Sequence, residues 1–253
     1  MLFLRRIANI EIGLFLLALL LSGGITLASV TPADDAVTRY APMADAFAQG
    51  NWHYAFHPRV GVWFPVFTGI LTWVLGCRGI AACQITAILF FSLSVFPLYR
   101  LFKLLWDEKI AATGTLLYVL CSHLLRYPAD GVRDNGKTLA MAMIALGIVT
   151  LYRDRKSIRG GLELVVGMWL LTILRGEGAL LALFCGAAGI YLVRDWKRVA
   201  GGAAIFFLLL APQLFYNYCA IGYPVVELRH GVLLNKMNVP PASAPIKIPE
   251  TAE

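Results

Sequence analysis

The stretch "VGVWFPVFTGILTWVL", Val60 to Leu75, decides how this chain is laid out. It is apolar enough to enter lipid, but a helical crossing needs about 20 residues and this run is shorter. Gly61, Pro65 and Gly69 break it, while Trp63 and Trp73 suit the boundary between lipid and water. If it crosses, every later segment changes side.

Charge parity reads it as a helix that does not cross. Lys and Arg gather in three short loops, Arg100/Lys103/Lys109, Arg153/Arg155/Lys156/Arg159 and Arg194/Lys197/Arg198. With Val60–Leu75 on the surface and the C-terminal tail left aside, 12 Lys and Arg fall inside and 7 outside; with it crossing, the split is 7 and 12. Cytoplasmic loops carry the excess of positive charge, which favours the first arrangement. Seven crossings are then expected, with the N-terminus cytoplasmic and the C-terminus outside.

The composition requires a membrane in any case. The chain of 253 residues is 59% hydrophobic and 15% charged, with a mean hydropathy of +0.71. A soluble domain of that size cannot hide so much apolar surface. The net charge of +7 reads as cytoplasmic-side Lys and Arg, and no basic run with interleaved aromatics points to nucleic acid. The fold class expected is an all-α polytopic membrane protein.

Its parts follow in order. Residues 1–9 are a cytoplasmic N-terminus, 10–30 the first crossing, 31–78 an outer loop, 79–218 crossings two to seven, and 219–253 an outer Pro-rich tail. The start has signal-peptide grammar, a basic end followed by an apolar core, but the core is long enough to span and reads as an uncleaved anchor. The later apolar runs are Ile80–Phe102, Ile110–Leu125, Thr138–Tyr152, Leu162–Leu174, Ala179–Val193 and Val199–Tyr218. Several need flanking turns to complete a crossing.

Within the outer loop, Asp34 and Asp35 stand side by side just past the first crossing. The following "AVTRYAPMADAFAQG" puts Val37, Tyr40, Ala44 and Phe47 on one helical face, with Asp35 as N-cap and Gly50 as stop. Pro42 interrupts that helix unless it starts a new turn. Capping accounts for one carboxylate and leaves the second unexplained. In this topology Asp34, Asp35, Asp130, Asp134 and Glu177 emerge on the same side as Arg133, Lys137 and Arg175. The five cysteines lie in or beside apolar runs without a CxxC and read as small buried side chains. His53 and His57 have helical spacing for a metal, but lie just before Pro58 among aromatics and read as interfacial packing.

Here the residues resemble a known family. "DDAVTRYAPMADAFAQGNWHYAF" followed by "VWFPVFTGILTWVLG" is similar to the first outer loop of GT-C fold glycosyltransferases, in particular the bacterial protein O-mannosyltransferase and aminoarabinose transferase relatives. "GVRDNGKTLAMAMIALGIVTLY" resembles the family's second outer loop, "LLTILRGEGALLAL" its Arg-x-Glu-Gly step, and "APQLFYNYCAIGYPV" the end of its seventh crossing. The resemblance implies a module of about seven transmembrane helices with two juxtamembrane helices in the first outer loop.

It also implies transfer of a sugar from a polyprenyl-phosphate carrier to an acceptor hydroxyl or amine. Asp34 is then the candidate catalytic base, with Asp35 orienting it or sharing a cation. Arg133, Lys137 and Arg175 are candidates for the donor phosphate, or else anchors at the headgroup level. Asp134 and Glu177 either bind a divalent metal ion with Asp34 or pair with those arginines; pairing is favoured, because the sequence holds no dedicated cation loop. The implied partners are membrane lipid and the lipid-linked sugar. Family members generally carry further crossings and often a soluble outer domain, so a second membrane chain completing the enzyme is a further expected partner. Two other functions stay open: a non-catalytic or split GT-C module, and a transporter or flippase of a lipid-linked substrate. A transporter predicts an internal repeat and ionisable groups near mid-membrane, and the sequence offers neither convincingly.

Overall fold

The computed structural model describes residues 2–29, 31–58, 60–176, 178–224 and 226, with the side chains of 2–9 left out. The described residues are mostly helical, and no strand occurs among them. In chain order the helices are α1 (Leu2–Ala28), α2 (Ala41–Ala48), α3 (Trp52–Ala55), α4 (Trp63–Leu75), α5 (Gly79–Leu93), α6 (Val95–Leu105), α7 (Glu108–Leu120), α8 (Ser122–Asp130), α9 (Asn135–Arg153), α10 (Ile158–Leu174), α11 (Gly178–Val193) and α12 (Trp196–Ile221). A π-helical turn, Ala36–Tyr40, precedes α2.

Four stretches are long and apolar enough to cross a bilayer: Ile10–Ala28, Gly79–Leu105, Asn135–Arg153 and Trp196–Ile221. By length and composition the chain is an all-α membrane protein. Much of α11 and α12 presents large apolar side chains outward, such as Leu183, Phe184, Phe207 and Leu208, as a lipid-facing surface does.

The expected run Ile110–Leu125 is not one helix. It breaks at Cys121, whose extended backbone (φ −65°, ψ 106°) separates α7 from α8. Tyr118 donates to the Phe91 carbonyl just before the break. The segment expected to form the outer loop, residues 31–78, also holds more pieces than the two helices expected. Its first helix is split by the π turn, in which the Ala41 N–H reaches back to the Ala36 carbonyl. One extra residue in that turn lets Pro42 fall in the first turn of α2, where its missing N–H breaks no helical bond. Ala36, Tyr40, Met43 and Ala44 are buried, whereas Val37, expected on that face, is half exposed. Gly50 does end the segment, with φ +74°.

The main core lies where α4, α5, α9 and α10 meet, around Phe64, Phe90, Ile144 and Leu170. α9 and α10 pair most extensively. They approach through glycines: a Cβ on Gly147 would stand 2.6 Å from the Leu164 nitrogen, and one on Gly167 2.9 Å from the Ala140 carbonyl oxygen. A second cluster, with Ala18, Phe91, Val95 and Val119, joins α1 to α5, α6 and α7.

The two ends of the bundle can be told apart by contacts. At one end, Glu11 of α1 pairs with Arg100 of α6 at 3.1 Å, and Lys103 with Glu108 at the start of α7. At the other, the Ala33 N–H bonds the Asp130 carbonyl at 3.1 Å, and Arg175 after α10 pairs with Asp134 before α9. Glu163, the other apolar-run carboxylate, is tied to Arg159 at 2.9 Å.

Candidate functional site

The end of the bundle that carries Asp34 is organised by the segment between α1 and α5 folding back on itself. Residues 60–78 leave and return at one place. Val60 accepts a hydrogen bond from Arg133 Nη1 at 2.9 Å, and the Arg133 guanidinium lies 5.9 Å over the Tyr40 ring. At the other end of the segment, the Gly79 N–H donates to Asp45 Oδ1 at 2.7 Å. Gly79 is required there: a Cβ would come within 2.2 Å of the Ala41 carbonyl oxygen, next to Tyr40. α4 packs on α2 and α5 between these points. Thirteen residues of helix reach about 20 Å, short of a hydrocarbon core.

Asp34 and Asp35 differ in their surroundings. Asp35 occupies the N-cap position yet caps nothing; its carboxylate pairs with Arg39 at 3.0 Å. The expected cap bond is therefore absent among the described residues. The Asp34 backbone carbonyl accepts from Thr38 Oγ1 at 2.8 Å, while its side chain is exposed and has no partner among the described residues. Asp134 repeats the pattern at the start of α9: it stands at the N-cap, makes no cap bond, and pairs instead with Lys137 Nζ at 3.1 Å and with Arg175, whose Nε donates at 3.1 Å. The opposite end of the bundle behaves differently. There Asp107, Ser157 and Asp195 all accept from backbone N–H groups and cap α7, α10 and α12.

Charges from three loops surround Tyr40. Burial pushes its phenol up; Arg133 and Arg175 pull it down, while Asp35 and Asp134 add to the rise. Burial alone would also raise the Asp134 carboxyl, but the hydrogen bond and charge of Arg175, with those of Lys137, hold it below the usual range. Asp45 goes the other way, because burial outweighs the Gly79 N–H and the Arg78 charge.

Arg133 is 4% exposed and turned inward, so it serves the loop rather than the surface. Arg175 and Lys137 keep their side chains partly exposed, at 24% and 37%. These two can meet an anion at the surface while Asp134 fixes their direction. Glu177 lies outside the described residues, as does most of the tail. Among the described residues no three His, Cys, Asp or Glu side chains gather as a metal site would need. Asp134 is committed to cations, which does not fit a shared divalent ion. α3 ends before His57, so His53 and His57 do not share a helix; His53 packs edge-on against Tyr54. The cysteines are all free thiols.

Two contributors escaped the sequence reading. Asp45 binds the start of α5 across 34 residues, and Gln213 of α12 accepts from the Val62 N–H at 2.6 Å across 151. No local pattern announces either one. Comparisons with protein-family models, curated proteins and solved structures return no match.

Proposed function

We propose that this chain is a membrane glycosyltransferase of the GT-C type, moving a sugar from a polyprenyl-phosphate donor to an acceptor hydroxyl or amine at the outer face of a plasma membrane. In this reading seven segments cross: α1, α5 with α6, α7 with α8, and α9 to α12. α4 lies along the outer surface.

One observation carries the reading. The Arg133 guanidinium lies over Tyr40, the adjacent Asp134 pairs with Arg175 of a third loop, and Asp34 is exposed in the loop that carries Tyr40. A lipid-borne donor keeps its tail in the bilayer and presents its phosphate at that level. Asp34 takes the proton from the acceptor as the acceptor oxygen or nitrogen bonds to the anomeric carbon. The bond from that carbon to the phosphate oxygen breaks, and the polyprenyl phosphate departs with the electron pair. Arg175 and Lys137 meet the charge that develops there, and Asp134 keeps both cations aimed. Asp35, held by Arg39, keeps a second negative charge beside the base.

The test is a comparison of lipid-linked sugars in cells with the intact gene, without it, and with Asp34→Asn. The reading predicts one donor lipid accumulating equally in the deletion and in Asp34→Asn. A deletion that leaves all donor lipids unchanged, or an Asp34→Asn strain that behaves as wild type, overturns it.

A further inference from the structure

Gln213 is 1% exposed within α12, and both ends of its amide are engaged. Its Oε1 accepts from the Val62 N–H at 2.6 Å, and its Nε2 donates to the Val226 carbonyl at 3.1 Å. Asn217, one turn further along the same face, donates to that carbonyl at 3.2 Å. Gly222, with φ +80°, turns the chain at the end of α12 so that Val226 comes back over it. On the loop side, Gly61 has φ +87°, and a Cβ there would stand 2.8 Å from Gln213 Oε1. The Val60 carbonyl, two residues before the bonded Val62, is the group that Arg133 grips. Arg133 is joined in sequence to Asp134, which aims Arg175 and Lys137.

From this continuous chain of contacts we infer that Gln213 is a positioning residue: it fixes residues 60–62 so that Arg133 is held against Tyr40 with Asp134 next to it in the chain, and it ties that loop to Val226. The inference rests on the proposed function for its catalytic consequence, but not for its geometry. Gln213 touches no reacting atom. It acts because an amide can accept from one segment and donate to another at once, which no apolar side chain of the same size can do. A buried N–H at Val62 left without its acceptor weakens the loop's attachment to α12.

The test uses the full chain in lipid nanodiscs. Gln213→Met keeps the volume and loses both hydrogen bonds; Asn217→Leu loosens Val226 and leaves the Val62 bond intact. In the wild-type protein the Val62 amide is expected to exchange with the buried amides of α12, more slowly than exposed loop amides by at least about a hundredfold. Tryptic cleavage at Arg59–Val60 is expected to accelerate about tenfold in Gln213→Met and to stay near wild type in Asn217→Leu. In transfer assays with a polyprenyl-phosphate sugar, Gln213→Met is expected to lose about tenfold in kcat with KM for the donor little changed.

Rapid exchange at Val62 in the wild type overturns the proposal even if Gln213→Met fails to fold. Equal acceleration of cleavage in both variants also overturns it, because that signals general loosening of α12. So does a released loop with an unchanged kcat. If wild-type protein transfers no sugar at all, the proposed function fails, while the exchange and cleavage results still judge the positioning of the loop.

Discussion

Asp34 and Asp35 are adjacent in the chain and have different neighbours, which supports the different roles proposed for them. Asp35 is tied to Arg39, whereas Asp34 stands exposed with no partner among the described residues. Replacing Asp34 by Asn should therefore change the stability of the purified protein by no more than about 0.5 kcal/mol, read from thermal melting, while sugar transfer is lost. Asp134 is the opposite case. Its carboxyl is held below the ordinary range, so its contribution to stability is present above the unfolded value near pH 4 and is lost as pH falls through the lower folded value. Asp134→Asn should cost about 1 kcal/mol at pH 7, given the partly exposed pairs, and the gap from wild type should close below pH 4. Asp45 titrates in the other direction, so the gap between variant and wild type is the quantity to follow rather than either melting curve alone. The charged candidates were legible because cations and carboxylates at loop positions stand out in an apolar chain. The inward turn of Arg133 was not, because its partner is a backbone carbonyl 73 residues away.

At the scale of helices, spacing between apolar residues located most elements, and small irregularities escaped it. A π turn replaced regular helix over Ala36–Tyr40, and an extended residue at Cys121 divided α7 from α8. Neither leaves a mark that hydrophobic periodicity can detect. Glycines carry a related ambiguity, since the sequence does not say which of them lie at a close approach. Gly147 faces the Leu164 backbone of α10, while Gly161 has nothing within 4 Å. Gly147→Ala should lower stability by about 1–3 kcal/mol by forcing α9 and α10 apart. Gly161→Ala should raise it by up to about 1 kcal/mol through helix propensity. Thermal melting of the two variants side by side checks both signs.

For the whole molecule, the account rests on Val60–Leu75 leaving and rejoining the same end of the bundle. Parity of charge pointed there from the sequence, because lysines and arginines sort by side. The Val60–Arg133 and Asp45–Gly79 bonds tie both ends of the segment near Tyr40, which supports that reading. The carboxylates of the first loop can then share a surface with Arg175 and Lys137. The most direct measurement places single cysteines at Asn51, Gly76 and Arg155, in a background without the native thiols, and labels sealed vesicles with a reagent that cannot cross the bilayer. The account predicts that positions 51 and 76 react from one side and position 155 from the other. Reaction of positions 51 and 76 from opposite sides would contradict it, because the twin aspartates would then be divided by the membrane from the cations they are proposed to work with.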